Sequence, residues 1–124
     1  MSFLSNTKVF AFTSTIAIAA MAMPAAGFAA DTAVTVDSDA AVKLAKDAHC
    51  LRCHGVDKKK EGPSYSLLAA RYEGKPGAED KLIKHITSGQ LVKLTDGHKE
   101  NHKTLQNADP AELRNLVRWI LAQG

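Results

Sequence analysis

Methionine and phenylalanine disappear from this chain after residue 28. All three methionines (Met1, Met21, Met23) and all four phenylalanines (Phe3, Phe10, Phe12, Phe28) lie in that first stretch. Beyond it the aromatic residues are Tyr65, Tyr72 and Trp119. A core of packed aromatics and a thioether metal ligand are thus both excluded for the rest of the chain. Cysteine is scarce too: Cys50 and Cys53 are the whole supply, too few for a four-thiolate zinc site. Charge of one sign is also lacking, with 16 basic and 13 acidic residues and a formal net charge of +3. Nothing in that balance points to nucleic acid.

What is present begins with an export signal. Lys8 is the single charge in residues 1–30. An apolar run from Val9 to Met23, broken by Pro24, leads to the small residues around Gly27-Phe28-Ala29. The run is shorter than the roughly 20 apolar residues of a comfortable membrane span. It reads as a cleaved secretory leader, residues 1–30, rather than an anchor, which leaves residues 31–124 as one domain without stable membrane insertion. That domain has 94 residues (124 minus 30), and loss of Lys8 lowers its net charge to +2. A chain so small and so poor in aromatics has difficulty burying enough apolar surface by itself. A large, flat apolar group at its centre removes the difficulty.

Cys50-Leu51-Arg52-Cys53-His54 names such a group. Two thiols three positions apart, followed at once by histidine, form the c-type haem attachment pattern. Each thiol can add to one vinyl group of haem, and the next imidazole then lies under the ring within reach of the iron. A redox disulfide is the first competing reading, but no strand pattern flanks the motif. Half of a zinc site is the second, but no other cysteine pair exists to complete it. Covalent haem also agrees with export, since bacteria attach c-type haem on the periplasmic side.

The remaining chain reads as short helices. Ser38 caps a first helix beginning at Asp39, with Val42, Ala45 and Ala48 on one face and Leu44 beside them. His49 is expected at the surface. Residues 55–62 form a polar loop with Lys58-Lys59-Lys60, either a solvated run or a patch that steers an acidic redox partner. Gly62-Pro63 makes a turn, and the Pro63 carbonyl is placed to accept the second ring N–H of His54. A helix over 64–72 turns Leu67, Leu68 and Tyr72 inward. Another runs from about Ala78 to Thr87 with Leu82, Ile83 and Ile86 inside, stopped by Gly89. His85 on that helix is expected to be exposed. Residues 90–108 read as a polar loop carrying His98 and His102. Asp109-Pro110-Ala111-Glu112 is a strong helix start, followed by the stripe Leu113, Leu116, Val117, Ile120 and Leu121. Trp119 stands beside it, set to pack on the haem or on the first helix.

In this order, the helix, the Cys-x-x-Cys-His motif, Gly62-Pro63, two short helices, a ligand loop and a closing helix with Arg118-Trp119-Ile120 resemble the small monohaem class I cytochromes c of bacterial periplasms. The likeness spans about residues 38–124. It implies an all-α fold of four to five short helices, first and last crossing, around one covalent haem c. It also implies His54 as the proximal iron ligand, supported by Pro63. The chain departs from that family in one respect. The family's distal methionine has no counterpart here. The same loop offers His102, nearest the expected position, and His98 as second choice, with Lys99 and Lys103 as outside candidates.

Function follows from the ligands. Methionine raises a haem's reduction potential relative to other axial groups, so a bis-histidine pair implies a low-potential electron carrier. Redox protein partners are implied, with donor and acceptor unspecified, and a monomer is the default at this size. A second class of function is gas binding at an open or labile sixth position. A third is a haem subunit of a larger oxidoreductase. No nucleotide loop or nucleophile constellation suggests an enzyme.

Overall fold

The structure, a computed structural model, describes residues 35–124. The expected leader lies outside the described residues. Helix α1 spans Ser38–Asp47, one residue earlier than the sequence suggested, because Asp37 and not Ser38 is the cap: its carboxylate accepts the Ala40 N–H at 2.9 Å. The buried face is set by Ala41 and Ala45, while Val42 and Leu44 pack at its edge. These alanines keep the α1 surface flat enough for a second helix to lie directly on it. His49, with φ of 60°, breaks the helix, and a single turn, α2, follows over Cys50–Cys53.

Helix α3 spans Tyr65–Tyr72, its first N–H groups capped by the Ser64 hydroxyl, which accepts from Leu67 at 3.3 Å. The inward residues are Tyr65 and Ala69, with Leu68 half-buried; Leu67, expected inside, is 42% exposed. Residues 67–70 are Leu-Leu-Ala-Ala. In so short a helix that run leaves the buried face ambiguous, and packing on the last helix decides it. Helix α4 spans Ala78–Ser88, with Leu82 buried and Gly89 (φ 61°) ending it in the left-handed conformation. A Cβ on Gly89 would also stand 2.7 Å from the Thr104 methyl.

Residues 90–108 hold more order than a loop. Strands β1 (Leu91–Lys93) and β2 (Lys99–Asn101) pair antiparallel, with Val92 opposite Glu100. The turn is closed by Leu94 N–H donating to His98 O at 2.9 Å and by Gly97 at φ 94°. Asp96-Gly97 is a hairpin signal, but strands of three residues, one Leu-Val-Lys and the other Lys-Glu-Asn, give no alternation to read.

Helix α5, Pro110–Leu121, starts where expected: the Asp109 carboxylate accepts from Ala111 and Glu112. Its stripe buries Leu113, Leu116, Val117, Trp119 and Ile120. It packs on α1, α3 and α4, and the core is Ala41, Ala45, Tyr65, Leu116, Trp119 and Ile120. Trp119 meets Tyr65 edge to face, ring centres 5.5 Å apart, and joins the α1 alanines in that cluster. Two polar clasps fix the helices further. Asp37 and Asn115 exchange hydrogen bonds of 2.8 Å in both directions. Glu79 on α4 receives Arg114 at 2.7 Å and Arg118 at 2.8 Å. Among the described residues, five helices and one small hairpin make the fold predominantly helical, as the resemblance implied.

Candidate haem cleft

The turn α2 places Cys50 and Cys53 three residues apart, hence on one side of a helix, and His54 directly after them, its N–H donating to Cys50 O at 3.0 Å. Both thiols are half-buried and unbonded. Burial pushes the Cys50 thiol up from its ordinary pKa, with a smaller push from Cys53. A redox dithiol has the opposite property, a depressed pKa at its attacking sulfur.

The loop after His54 is pinned back onto the motif by its own backbone. Gly62 N–H donates to Cys53 O at 2.8 Å, Tyr65 N–H to Gly55 O at 2.9 Å and Ser66 N–H to Val56 O at 3.0 Å. This brings the Pro63 carbonyl 2.7 Å from His54 Nδ1. A carbonyl can only accept, so Nδ1 carries the proton and Nε2 keeps its lone pair. Tyr65 stacks on the imidazole, ring centres 5.5 Å apart and planes 12° from parallel. On another side the ring is crowded by Gly62, where a Cβ would lie 2.6 Å from His54 Cε1. Burial lowers the His54 pKa, the Pro63 bond raises it and His102 lowers it again, with burial dominant. The ring is thus held neutral, the form a metal requires. Lys60, exposed within the lysine run, donates to Leu51 O at 2.6 Å and so also fastens α2.

Across the cleft the hairpin delivers His102. Its N–H donates to Gln90 O at 2.9 Å, and its Nδ1 lies 2.8 Å from Lys103 O, which again leaves Nε2 with the lone pair. The His54 and His102 ring centres are 6.1 Å apart. Metal–nitrogen bonds of about 2.0 Å, plus about 1 Å from each nitrogen to its ring centre, span about 6 Å. One iron therefore fits between the two rings. His98 is placed differently: it is exposed on the hairpin, its Nδ1 held 2.5 Å from Asp96, and it does not line the cleft. His49 is exposed, as expected, and stands at the cleft margin.

His85, read as exposed, is half-buried and lines the cleft, its ring centre 4.5 Å from that of His102. Burial lowers its pKa first, and His102 and His54 add to the effect. The sequence did hold a signal. His85 lies three positions after Leu82 and one before Ile86, on the inward face of α4.

The cleft encloses about 720 Å³ and brings together Cys50, Cys53, His54, Pro63 and His102. Leu68, Leu82, Ile86, Leu116 and Ile120 give it apolar walls, and Arg71, Lys75, Lys81, Lys93 and Lys103 stand along it. Two thiols, two imidazoles with open Nε2 atoms, apolar walls and basic groups suited to two carboxylates together fit haem c.

Comparison with known proteins agrees. The family model described as cytochrome c matches residues 38–123. Cytochrome c2 of Rhodocyclus tenuis is 38% identical over 80 residues, covering 64% of this chain and 87% of that protein. Cytochrome c-552 of Hydrogenobacter thermophilus is 35% identical over 81 residues, covering 64% and 78%. Among solved structures, the class 1 cytochrome MtoD from Sideroxydans lithotrophicus ES-1 is 52% identical. It superposes with a TM-score of 0.70, covering 72% of this chain and 98% of that one.

Proposed function

The chain belongs to the cytochrome c family as a small class I, electron-transferring cytochrome with one covalent haem c, and from that premise we propose a periplasmic, low-potential carrier whose iron is held by His54 and His102. The observation that carries this reading is the facing pair of imidazoles, 6.1 Å apart, each with Nδ1 committed to a backbone carbonyl at 2.7 or 2.8 Å. Bound haem supplies the one-electron ferric–ferrous couple. The chain's residues do the rest. Cys50 and Cys53 anchor the ring, His54 is oriented by Pro63, and His102 is carried in by the hairpin.

Low potential follows from the ligand set, because after removal of residues 1–30 no methionine is left to raise it. The basic groups along the cleft suit an acidic protein surface. The protein acts as a carrier rather than an enzyme. Among the described residues no helix is long and apolar enough to cross a membrane.

Spectra and redox titration of the haem-loaded protein test this reading. The expected result is a low-spin spectrum in both oxidation states, unmoved by carbon monoxide. His102→Ala turns it high-spin and carbon monoxide-reactive, and His102→Met raises the midpoint potential. A high-spin native protein sinks the bis-histidine reading and leaves gas binding in its place. An unchanged or lowered potential in His102→Met removes the low-potential claim.

A further inference from the structure

Two imidazoles, not one, stand on the distal wall of the cleft. The ring centres of His85 and His102 are 4.5 Å apart, and both side chains line the same space. Sequence position alone does not say why iron should take one and leave the other.

Their hydrogen-bond partners differ in kind. His102 Nδ1 faces the Lys103 carbonyl at 2.8 Å, an acceptor and nothing else, so the proton sits on Nδ1 and Nε2 is free. His85 Nδ1 faces the side-chain nitrogen of Gln90 at 2.6 Å. In this orientation of the amide the nitrogen donates, His85 Nδ1 accepts, and the proton of the neutral ring sits on Nε2. A nitrogen that carries a proton has no lone pair to give a metal. Gln90 acts on both rings, since its backbone carbonyl also accepts the His102 N–H at 2.9 Å.

We propose that Gln90 selects the distal ligand: its amide fixes His85 in the tautomer that withholds Nε2 from iron, while the Lys103 carbonyl holds His102 in the tautomer that offers it. The inference rests on the reading of His102 as ligand and assigns a role to a residue that touches neither iron nor the attachment thiols. Gln90 is a positioning residue. It is also a replaceable one. A carboxylate at the same place can only accept, which moves the His85 proton to Nδ1 and opens its Nε2.

The test has two arms. In the reduced, haem-loaded protein, nitrogen-15 NMR of the imidazoles is expected to show His85 protonated at Nε2, and Gln90→Glu is expected to move that proton to Nδ1. Native His85 protonated at Nδ1 overturns the proposal, and this arm decides alone if the variants below fail to take up haem. In the second arm His102→Ala is high-spin and binds carbon monoxide. Adding Gln90→Glu restores a low-spin spectrum and slows carbon monoxide association at least about tenfold, because the open fraction sets apparent binding. Adding His85→Ala abolishes the recovery. A double variant that stays as high-spin as His102→Ala overturns the proposal. So does His102→Ala alone remaining low-spin until His85 is removed, since Gln90 then blocks nothing. A His102→Ala spectrum identical to the native one, with or without His85, is a separate result: it refutes His102 as ligand, and the inference with it.

Discussion

The two walls that face each other across the cleft are built in different ways. On the proximal side, residues 50–66 are laced by short-range backbone bonds, from Gly62 to Cys53, Tyr65 to Gly55 and Ser66 to Val56. His54 is then boxed in by Pro63, Gly62 and Tyr65. On the distal side, His102 hangs from a two-stranded hairpin whose second strand is wholly exposed. The His102 N–H bond to Gln90 O extends the hairpin's own ladder, and the hairpin is tied to the rest of the fold where Leu105 N–H donates to Ile86 O at 2.8 Å and where the Thr95 hydroxyl at the tip donates to Glu61. The lesson is that one imidazole is fixed by local chain geometry and the other by tertiary attachment. The proximal site should therefore tolerate no added volume. The distal site should respond gradually as its attachments are cut.

Gly62→Ala gives the largest effect. The new Cβ stands 2.6 Å from His54 Cε1, and neither side can yield, because Gly62 N–H is tied to Cys53 O and His54 Nδ1 to Pro63 O. Overpacking of this kind costs about 1–3 kcal/mol, and guanidinium unfolding of the haem-loaded protein measures it. A neutral outcome would show the proximal wall to be as yielding as the distal one.

Glu79→Gln comes next, as it loosens α4, which carries His85 and leads into the hairpin. Hydrogen bonds from Arg118, then Arg114, hold the Glu79 carboxyl below its ordinary value of 4.5. A folded-state pKa that is depressed adds stability above the unfolded value and loses it as pH falls through the folded one. The variant is expected to cost about 0.5–1 kcal/mol at pH 7, modest because the side chain is partly exposed. The gap from the native protein should close below pH 4.5. A pH-independent gap in denaturant midpoints would mean that packing, not charge, is lost.

Thr95→Val is the smallest. It removes one exposed hydrogen bond while keeping the side chain's shape, a surface change that shifts stability by no more than about 0.5 kcal/mol. Amide hydrogen exchange at His102, whose N–H is bonded to Gln90 O, should speed up a few-fold while exchange at Gly62 and His54 is unchanged, and Thr95→Ser should restore the native rate. No change in rate would show the hairpin tip to be irrelevant to the hold on His102.

Legibility in the sequence followed the same division. Asp109-Pro110 and the α5 stripe lie where the pattern put them, because a cap and a 3.6-residue period are local. Leu67 is exposed where the pattern turns it inward, because four successive apolar residues on α3 fit either face. The stacking of Tyr65 on His54 is a contact across 11 positions that needs the folded loop and leaves no local pattern. The hairpin is illegible as strand because three residues on each side are too few to show alternation, and the second strand is wholly polar. For His85 the helical spacing beside Leu82 and Ile86 points inward, but only the fold shows that the space there is a cleft.

By itself the sequence determined the chemistry that lives in consecutive residues: two thiols one turn apart, the histidine after them, the Gly-Pro turn and the helix starts. It also determined that no methionine follows residue 23. Which of His98, His102 and His85 faces His54 was decided by tertiary structure alone. His102 lies 48 positions from His54. Its direction is set by the pairing of β1 with β2, by the bond to Gln90 and by the seat of α4 on α5. A difference of one residue in that register would turn a different side chain inward.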